Sequence, residues 1–317
     1  MSSASSETLL GWYQKEARAL PWRDTTDPYK IWISEIMLQQ TQVKTVLPRY
    51  LQWFEIFPDV HSLASANLDA VLKAWEGLGY YRRARFIHQS ANIIVTQHYG
   101  HFPEEFDAIM ALPGIGRSTA GAIASFSFSQ STPVLDGNVK RVLKRWYGNP
   151  DAPDKQLWVW AQKAIDTSNS PADWNQAMME LGASLCSPQN PDCSSCPMHQ
   201  YCKAAFQIEQ SSAVKKITVK NLHWRVDLHT SPERGIWLTQ RPDSGIWAGL
   251  WTPPITELDQ LPETPPCYIH ILTHRRLHLY GHTSNHSPSG DGQWISDISQ
   301  FALPTGIHRL LEKHEQT

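Results

Sequence analysis

The pattern of hydrophobic and polar positions divides the chain into two parts with different secondary structure. Through residues 1–206, apolar positions recur at the three- and four-residue spacing of amphipathic helices. Through residues 222–317, apolar and polar residues alternate in short runs between turns rich in proline and glycine, which favours strands. Residues 207–221 follow neither pattern and are predicted to be a linker. We therefore expect a helical domain followed by a smaller domain of strands, with one helix near 306–314.

A strongly apolar helix is predicted after residue 27. Asp27 can cap its N terminus, and Pro28 suits its first turn. Glu35 lies inside the apolar run IWISEIML, where an ionised carboxylate is costly. Such a group should have a raised pKa and could deliver a proton near neutral pH. The alternative is that Glu35 faces solvent from a polar stripe of the helix.

A turn rich in glycine and proline precedes another predicted helix in the segment LPGIGRSTAGAI. Pro113, Gly114 and Gly116 allow the backbone to approach a partner closely. The backbone N–H groups at the start of the helix then favour an anion such as a phosphate. The alternative is an ordinary loop between two core helices.

Asp136 stands at the start of the next predicted helix, LDGNVKRVLKR. Four basic residues of this helix fall on neighbouring turns: Lys140, Arg141, Lys144 and Arg145. Together with the glycine turn, they indicate a face that binds nucleic acid with an acid beside it. The alternative for Asp136 is a simple helix cap.

Four of the five cysteines lie close together in the sequence. Cys186 and Cys193 are separated by six residues, Cys193 and Cys196 by two, and Cys196 and Cys202 by five. Clustered thiols in a chain without a secretory signal indicate a metal or cluster site more than disulfides. By chemistry alone the four ligands suit either a [4Fe–4S] cluster or zinc.

Composition limits the function classes. At 317 residues the chain is long enough for two domains, and a formal net charge of −2 argues against a protein that coats nucleic acid without selectivity. The sequence has no run of 18 apolar residues, and its start, MSSASSETLL, lacks the features of a secretory signal. We therefore expect a cytoplasmic, nucleoid-associated protein that does not enter membranes.

Several of these motifs resemble those of one enzyme family. WISEIMLQQTQV, the preceding LPWR, and the glycine turn followed by Asp136 are similar to the A/G-specific adenine DNA glycosylases of the MutY type, in the helix-hairpin-helix base-excision repair superfamily. The resemblance implies a mainly α, two-lobed helical glycosylase domain and then an α+β Nudix-like domain. It also favours a [4Fe–4S] cluster on the loop 186–202.

The resemblance implies roles for individual residues of a catalytic site. Glu35 corresponds to the general acid, Asp136 to the carboxylate that stabilises the sugar cation, and Asn138 to a residue that assists it. The residues corresponding to the pocket for the extruded adenine are Arg18, Leu20, Trp22, Arg23, Leu38, Ser118 and Glu180. An extruded base needs apolar walls and a few polar groups at its edge, as this set provides.

Two positions of the pocket carry further expectations. Ser118 occupies the place of the lysine nucleophile of the related endonuclease III type, so we expect base removal without efficient strand cleavage. Glu180 corresponds to a residue that contacts the adenine, and its alternative is an exposed helical glutamate.

The resemblance also implies contacts with the DNA duplex. Gln40 corresponds to a residue that wedges into the duplex, and Tyr80, in GLGYYRRAR, to one that reaches the base stack beside the lesion. Without the resemblance, Tyr80 would be a half-buried packing residue. Gly114, Gly116 and Lys140 complete the predicted DNA contacts.

The segment RPDSGIWAGLWTPP resembles the Nudix-like domain that reads 8-oxoguanine in the same family. No paired glutamates at helical spacing follow residue 222, so recognition is expected and not hydrolysis. The family's Phe-Ser-His contact loop is replaced here by Leu272, Thr273 and His274. Histidine also recurs at every fourth position from 270 to 286, which on a strand places the side chains on one face and on a helix could form a metal site.

Together these features predict a monomeric glycosylase that removes adenine opposite 8-oxoguanine or guanine in double-stranded DNA. Two other functions are kept as alternatives: a bifunctional glycosylase and lyase for damaged pyrimidines, and a DNA-damage binder without catalysis. Ser118 and the C-terminal domain argue against the first, and retention of both carboxyl groups argues against the second.

Overall fold

The computed structural model describes residues 3–207, 219–284, 286–288 and 290–314. Most of the predicted linker, 207–221, lies outside the described residues. The chain folds into two compact units, the first of residues 1–64 and 89–214 and the second of residues 65–88 and 215–317. The helical segment 65–88 thus belongs to the same unit as the strands.

The first part of the chain is helical, as the periodicity predicts. Its helices are α1 (Ser3–Glu16), α2 (Pro28–Leu38), α3 (Val43–Ile56), α4 (Val60–Ser65), α5 (Leu68–Ala74), α6 (Arg82–Gln97), α7 (Phe106–Ala111), α8 (Arg117–Phe128), α9 (Gly137–Trp146), α10 (Asp154–Ile165) and α11 (Pro171–Ser184). Of these, α5 lies in the second unit, and α6 has residues in both units.

Helix α2 begins as the sequence predicts. The Asp27 side chain accepts a hydrogen bond of 2.9 Å from the Tyr29 N–H, and Pro28 occupies the first helical position. Ile31, Trp32 and Ile33 are almost completely buried, along with four other residues of the helix. Burial of so many apolar side chains fixes α2 in the core, where it packs against α3 and α8.

The glycine turn connects α7 to α8. Gly114 adopts a φ of +78°, which a residue with a Cβ atom rarely reaches, and Ile115 anchors the turn with only 5% of its side chain exposed. Gly114 and Gly116 are exposed on either side of this anchor. The predicted hairpin of two helices is confirmed, with both glycines accessible.

A second core of the first unit is built from α1, α9, α10 and α11. Trp174 of α11 is completely buried there, and Leu143 of α9 packs in the same cluster. Helix α11 packs against α1, α8 and α9. It therefore joins the hairpin helix α8 to the helix that follows Asp136.

The second unit contains two small sheets. Its strands are β1 (Lys220–Leu228), β2 (Thr230–Ser231), β3 (Gly235–Gln240), β4 (Trp251–Thr252), β5 (Ile255–Glu257), β6 (Tyr268–Ile271), β7 (Arg275–Thr283) and β8 (Gly292–Ile295). One sheet has the order β5-β1-β7-β6, in which β1 and β7 are parallel; in the other, β3 pairs with β2, β4 and β8. Helix α12 (Thr305–His314) packs on β6 and β7, close to its predicted position.

The segment 65–88 is tied to the strands of this unit by side chains. Arg85 donates to the Asp243 carboxylate at 3.1 Å and to the Ala248 carbonyl at 3.0 Å. Glu76 lies 2.6 Å from the His308 imidazole of α12. These contacts explain why the segment belongs to the second unit.

The histidine series does not form one face, so that part of the interpretation is wrong. His278 and His282 share one face of β7, but His270 is paired with Leu277, which is completely buried on the opposite face. The histidines at every fourth position lie on both sides of the hairpin between β6 and β7. The alternation of faces along β6 does not continue in phase along β7, so equal spacing does not place them on one face. His274 lies in the turn of that hairpin.

Candidate active site

The structure brings Glu35 and Asp136 within electrostatic reach of each other in the first unit. Burial of the carboxyl group, with the Asp136 charge adding to it, raises the pKa of Glu35 from 4.5 to about 8. Glu35 is half-buried, and neighbouring Ser34 is buried and donates its hydroxyl to the Ile31 carbonyl at 2.8 Å. The raised pKa favours a protonated acid near neutral pH over a carboxylate that faces solvent.

Asp136 caps α9. Its Oδ1 accepts a hydrogen bond of 2.7 Å from the Val139 N–H, so the simple cap and the catalytic interpretation describe the same side chain. Burial raises the pKa of Asp136 above its usual value, although hydrogen bonds from the Val139 and Asn138 backbones act in the opposite direction. Helix-start N–H groups alone would lower this pKa, and burial outweighs them.

Asn138 is held beside Asp136 by its neighbours. Its Oδ1 accepts a hydrogen bond of 2.8 Å from the Arg141 guanidinium. Gly182 of α11 lies against it so closely that a Cβ atom at residue 182 would meet the Asn138 Cβ at 2.6 Å. Replacement of Gly182 would thus push Asn138 away from α11.

Glu180 is buried, with 1% exposure, and the exposed alternative is wrong. Arg18 binds both of its oxygens at 2.6 and 2.7 Å, and Arg23 donates to Oε2 at 2.6 Å. Although burial acts to raise the pKa of Glu180, the hydrogen bonds from Arg18 and Arg23 outweigh it and hold the pKa below its usual value. Three predicted pocket residues thus form one charged cluster.

Two of the three apolar residues predicted for the pocket are buried. Leu20 is 7% exposed and Trp22 is 8% exposed, with the Trp22 ring edge-on to Tyr50 at 5.2 Å. Leu38 is half-buried at the end of α2. Leu38 is therefore the most accessible of the three.

Ser118 points to the segment that leads into Asp136. Its Oγ accepts a hydrogen bond of 3.0 Å from the Leu135 N–H, directly before Asp136 in the chain. Position 118 therefore carries a hydroxyl, which is bound to backbone and is not a nucleophile of the amine type.

Three of the predicted DNA contacts, Gln40, Gly114 and Gly116, are exposed, whereas Lys140 is half-buried. Gln40 is exposed and has a φ of +56°. This left-handed conformation is energetically unfavourable for a residue that has a side chain. Lys140, in contrast, is bound to Asp154 at 2.6 Å, so its charge is partly neutralised within the protein. Gln40, Gly114 and Gly116 remain accessible to a duplex.

The prediction of a basic DNA-binding face on α9 is wrong for two of its four members. Arg141 donates to the carbonyls of Cys186 and Gly182 at 2.8 and 2.7 Å. Arg145 donates to the carbonyls of Ser187 and Pro188 at 2.7 and 2.8 Å. Both guanidinium groups satisfy carbonyl groups in the last turn of α11 or in the loop after it, a role that helical spacing alone does not reveal.

The four cysteines of 186–202 are free thiols, and three of them pack against the second core. Burial raises the pKa of Cys196 to about 11, and the other three thiols contribute in the same direction, which shows that they lie near one another. Arg145 donates to the Cys186 Sγ at 3.2 Å. Four clustered soft donors beside a guanidinium fit an anionic iron–sulfur cluster. Within the described ranges, no three His, Cys, Asp or Glu side chains are placed to hold a single metal ion.

In the second unit, Tyr80 and Thr273 meet. Tyr80 is 53% exposed with a φ of +45°, so it is not the half-buried packing residue of the alternative interpretation. Its hydroxyl lies 2.8 Å from the Thr273 hydroxyl. Thr273 and His274 are exposed at the turn between β6 and β7, whereas Leu272 packs against the core of this unit. Two predicted contacts with DNA from distant parts of the sequence are thus neighbours.

Sequence reasoning missed Asn175. This residue is completely buried on α11 and binds the segment before Asp136. Its only signal in the sequence is an amide at a position of α11 that the helical period places among apolar residues.

The fold and this site define a base-excision DNA glycosylase of the helix-hairpin-helix class. Residues 33–159 match the HhH-GPD superfamily of base excision DNA repair proteins, and residues 228–313 match the NUDIX domain. A thermostable thymine-DNA glycosylase is similar in structure, with a TM-score of 0.61 and 27% identity over 65% of this chain and 96% of that one. An endonuclease III trapped covalently on DNA has the same fold, with a TM-score of 0.56 at 22% identity over 64% of this chain and 95% of that one.

Sequence relatives narrow the class further. The adenine DNA glycosylase of Buchnera aphidicola subsp. Baizongia pistaciae is 42% identical, over 77% of this chain and 72% of its own length. That of Buchnera aphidicola subsp. Schizaphis graminum is 32% identical over 97% of both chains. The Homo sapiens enzyme is 45% identical over 64% of this chain and 40% of its own length. The chain belongs to the adenine DNA glycosylase family and is a DNA-binding enzyme of base excision repair. None of the described helices could span a membrane.

Proposed function

We propose that this adenine DNA glycosylase removes adenine paired with 8-oxoguanine or guanine by hydrolysis of the N-glycosidic bond, without an efficient lyase step. The observation that carries the mechanism is the pair of Glu35 and Asp136. Burial and the charge of Asp136 keep Glu35 protonated at neutral pH, with a pKa of about 8. Hydrolysis of a glycosidic bond uses one protonated carboxyl group as the acid and one ionised carboxylate to stabilise the sugar cation.

Glu35 acts as the general acid in this proposal. It donates its proton to N7 of the extruded adenine, so that the C1′–N9 bond breaks with both electrons leaving on a neutral base. The deoxyribose is left as an oxocarbenium-like cation, which the Asp136 carboxylate stabilises. Water then adds to C1′, and its proton returns to the Glu35 carboxylate. Asn138, packed against Gly182, holds its amide beside Asp136 during these steps.

The charged cluster of Arg18, Arg23 and Glu180 supports the adenine pocket. Glu180 has its oxygens occupied by two guanidinium groups, so its buried carboxylate stays ionised. Arg18 is the more exposed of the two arginines, with 45% of its side chain exposed against 13% for Arg23. We assign Arg18 to the edge of the base and Arg23 to the support of Glu180.

The absence of an amine at position 118 supports a monofunctional enzyme. A lyase step requires an amine that forms a Schiff base at C1′. Ser118 instead has its hydroxyl bound to the Leu135 N–H, so it offers no such group. Water is then the nucleophile, and the product is an intact strand with an abasic site.

Recognition of the opposite base is assigned to the second unit. Tyr80 offers an exposed ring for stacking, and Thr273 and His274 offer a hydroxyl and an imidazole at a hairpin turn. Leu272 takes no part in a wedge, because it packs inward. We therefore expect stacking to come from Tyr80 and hydrogen bonding from Thr273 and His274.

We further propose that Cys186, Cys193, Cys196 and Cys202 hold a [4Fe–4S] cluster. When bound, the cluster supplies iron–thiolate bonds that cross-link the loop after α11. The loop is also joined to the C-terminal end of α9, because the Lys203 and Ala204 N–H groups donate to the Trp146 and Arg145 carbonyls at 3.1 and 3.2 Å. Since Asp136 stands at the other end of α9, the loop supports the helix that carries the catalytic carboxylate. The enzyme is expected to act as a monomer on double-stranded DNA.

A single-turnover assay tests the proposal. Duplexes that contain A:8-oxoguanine, A:G and A:T are incubated with excess protein, and abasic sites are revealed by alkali. We expect excision from the first two duplexes only, with no strand cleavage before alkali and no adduct trapped by borohydride. A trapped adduct would support the bifunctional alternative, and tight binding of the mispairs without excision would support the binder.

A further inference from the structure

Asp136 is delivered to the active site by residues 129–136, which connect α8 to α9 without regular secondary structure. Such a segment has no ladder of backbone hydrogen bonds to fix the side chain at its end. The Asp136 side chain accepts a hydrogen bond from the Val139 N–H of α9, but the backbone before it must be held by other groups. Those groups are found on α8 and α11.

Asn175 of α11 binds this connector from one side. Its Oδ1 accepts a hydrogen bond of 3.0 Å from the Val134 N–H, and its Nδ2 donates to the Thr132 carbonyl at 2.9 Å. The second Nδ2 hydrogen goes to the Ser125 hydroxyl of α8 at 2.8 Å. The amide is completely buried, so water cannot replace these partners.

Helix α8 holds the same connector through two hydrogen bonds and one close backbone contact. The Thr132 hydroxyl donates to the Gly121 carbonyl at 3.1 Å, and Ser118 accepts from the Leu135 N–H. A Cβ atom at Gly121 would meet the Pro133 carbonyl oxygen at 2.4 Å, so the connector lies directly on the helix there. Thr132, Val134 and Leu135 are thus hydrogen-bonded to α8 or α11, and Pro133 lies against Gly121.

We infer that Asn175 is a positioning residue for the reaction: its buried amide fixes the connector between α8 and α9 and so places the Asp136 carboxylate under the deoxyribose. This inference rests on the proposed role of Asp136. Asn175 does not touch the substrate and acts only through Asp136. No other neutral side chain of this size presents one acceptor and two donors in one plane, as Val134, Thr132 and Ser125 require.

Asn175→Asp keeps the shape and the acceptor but removes both donors, and Asn175→Ala removes all three bonds. We expect each variant to lower the single-turnover excision rate constant by roughly 10- to 100-fold, because a displacement of about 1 Å can cost about 100-fold. The Kd for an A:8-oxoguanine duplex should change little. Ser125→Ala, which removes only one partner, should have a smaller effect in the same direction.

Tyr29→Phe is the matched control. The Tyr29 hydroxyl is buried and makes two hydrogen bonds, to the Phe57 carbonyl at 2.9 Å and from the Trp53 indole at 3.1 Å, and neither involves the connector. We expect this variant to lower the melting temperature by a similar amount and to leave the excision rate unchanged. If Tyr29→Phe loses as much activity as Asn175→Asp, Asn175 has only a structural role.

A double variant separates this inference from the proposed function. If Asn175 acts through Asp136, Asn175→Asp should cause no further loss in an Asp136→Asn background, since the group that it positions is already disabled. If the fold-losses in rate of the two single variants instead multiply in the double variant, the inference is overturned. Full activity of Asp136→Asn would overturn the proposed function itself. Loss in Asp136→Asn with parental rates in both Asn175 variants would overturn only the positioning role.

Discussion

The Tyr80 hydroxyl lies 2.8 Å from the Thr273 hydroxyl, although the two residues are 193 positions apart in the chain. Tyr80 belongs to segment 65–88, which precedes the helical hairpin of α7 and α8. Thr273 belongs to the turn between β6 and β7. The Tyr80 side chain, proposed to stack on the opposite base, is therefore hydrogen-bonded to the Thr273 side chain, proposed to bind the edge of that base.

The first prediction concerns this link. Tyr80→Phe and Thr273→Val each remove one hydroxyl and keep the side-chain shape, and both should reduce the ratio of excision rates for A:8-oxoguanine over A:G. Because the hydroxyls share one bond, the double variant should lose less than the product of the single losses, with a coupling of about 1 kcal/mol, or roughly five-fold. Strictly multiplicative losses in the single-turnover ratios would show that the bond is not retained on DNA.

The second prediction concerns the acid. Glu35→Gln keeps the size of the side chain and removes the proton donor, so excision should fall by at least about 100-fold. Binding of the A:8-oxoguanine duplex should persist, which a gel-shift titration measures. Parallel loss of binding and excision would instead indicate that Glu35 is structural.

The third prediction concerns stability and pH. The unfolded chain releases the Glu35 proton near the ordinary pKa of 4.5, whereas the folded protein keeps it up to about 8. Folding therefore takes up a proton between these values, and the contribution of Glu35 to stability falls as pH rises through this window. Glu35→Gln should be more stable than the parent above pH 8, and the gap should close below about pH 4.5. Urea unfolding at pH 4.5, 7 and 8.5 tests this sign.

The pH dependence of excision follows from the same group. If Glu35 is the acid, only its protonated form is active, and the single-turnover rate constant should decline as pH rises above about 8. Prior measurement of duplex affinity over the same range controls for weaker binding. A rate that stays constant to pH 9.5 would contradict Glu35 as the acid.

The fourth prediction concerns the charged cluster. Arg23→Ala leaves the buried Glu180 with one partner, and loss of one member of a buried ion pair typically costs about 3–5 kcal/mol. Arg18 is 45% exposed, so water can replace it and Arg18→Ala should destabilise the fold less while raising the KM. Chemical unfolding of both variants, with Glu180→Gln as a third, ranks the contributions.

The fifth prediction concerns the cluster loop. Purified protein should be brown, absorb broadly in the blue-violet and contain four iron atoms per chain by the chemistry of a [4Fe–4S] group. Cys196→Ala should lose this colour. Cys267→Ala is the control, because Cys267 lies outside the loop. Its Sγ accepts a hydrogen bond of 3.3 Å from the Gly281 N–H. A colourless parent that contains zinc would support the alternative metal.

Local features were predictable from the sequence. The start of α2 depends on Asp27 and Pro28, and the turn before α8 depends on Gly114, all within a few residues. The cysteine loop was recognisable from residue type and spacing alone, whereas the roles expected of Glu35 and Asp136 rested on the resemblance to the glycosylase family.

Features that depend on distant contacts were not predictable in this way. Helical spacing placed Arg141 and Arg145 on a basic face, but carbonyl groups at the end of α11 and in the loop after it bind both guanidinium groups. The burial of Glu180 depends on arginines about 160 positions earlier, and His270 changes face because a hairpin interrupts its series. Periodicity reports the face of one element and contains no information about which element covers it.

The membership of residues 65–88 in the second unit has a consequence for dissection of this enzyme. A truncation after residue 206 would keep Glu76, Tyr80 and Arg85 but strip away His308, Thr273 and Asp243, to which they are bonded. In the shortened protein, segment 65–88 would have lost these stabilising contacts. The protein would also lack the C-terminal residues proposed to recognise the opposite base. Weak activity in such a fragment would report on both losses at once.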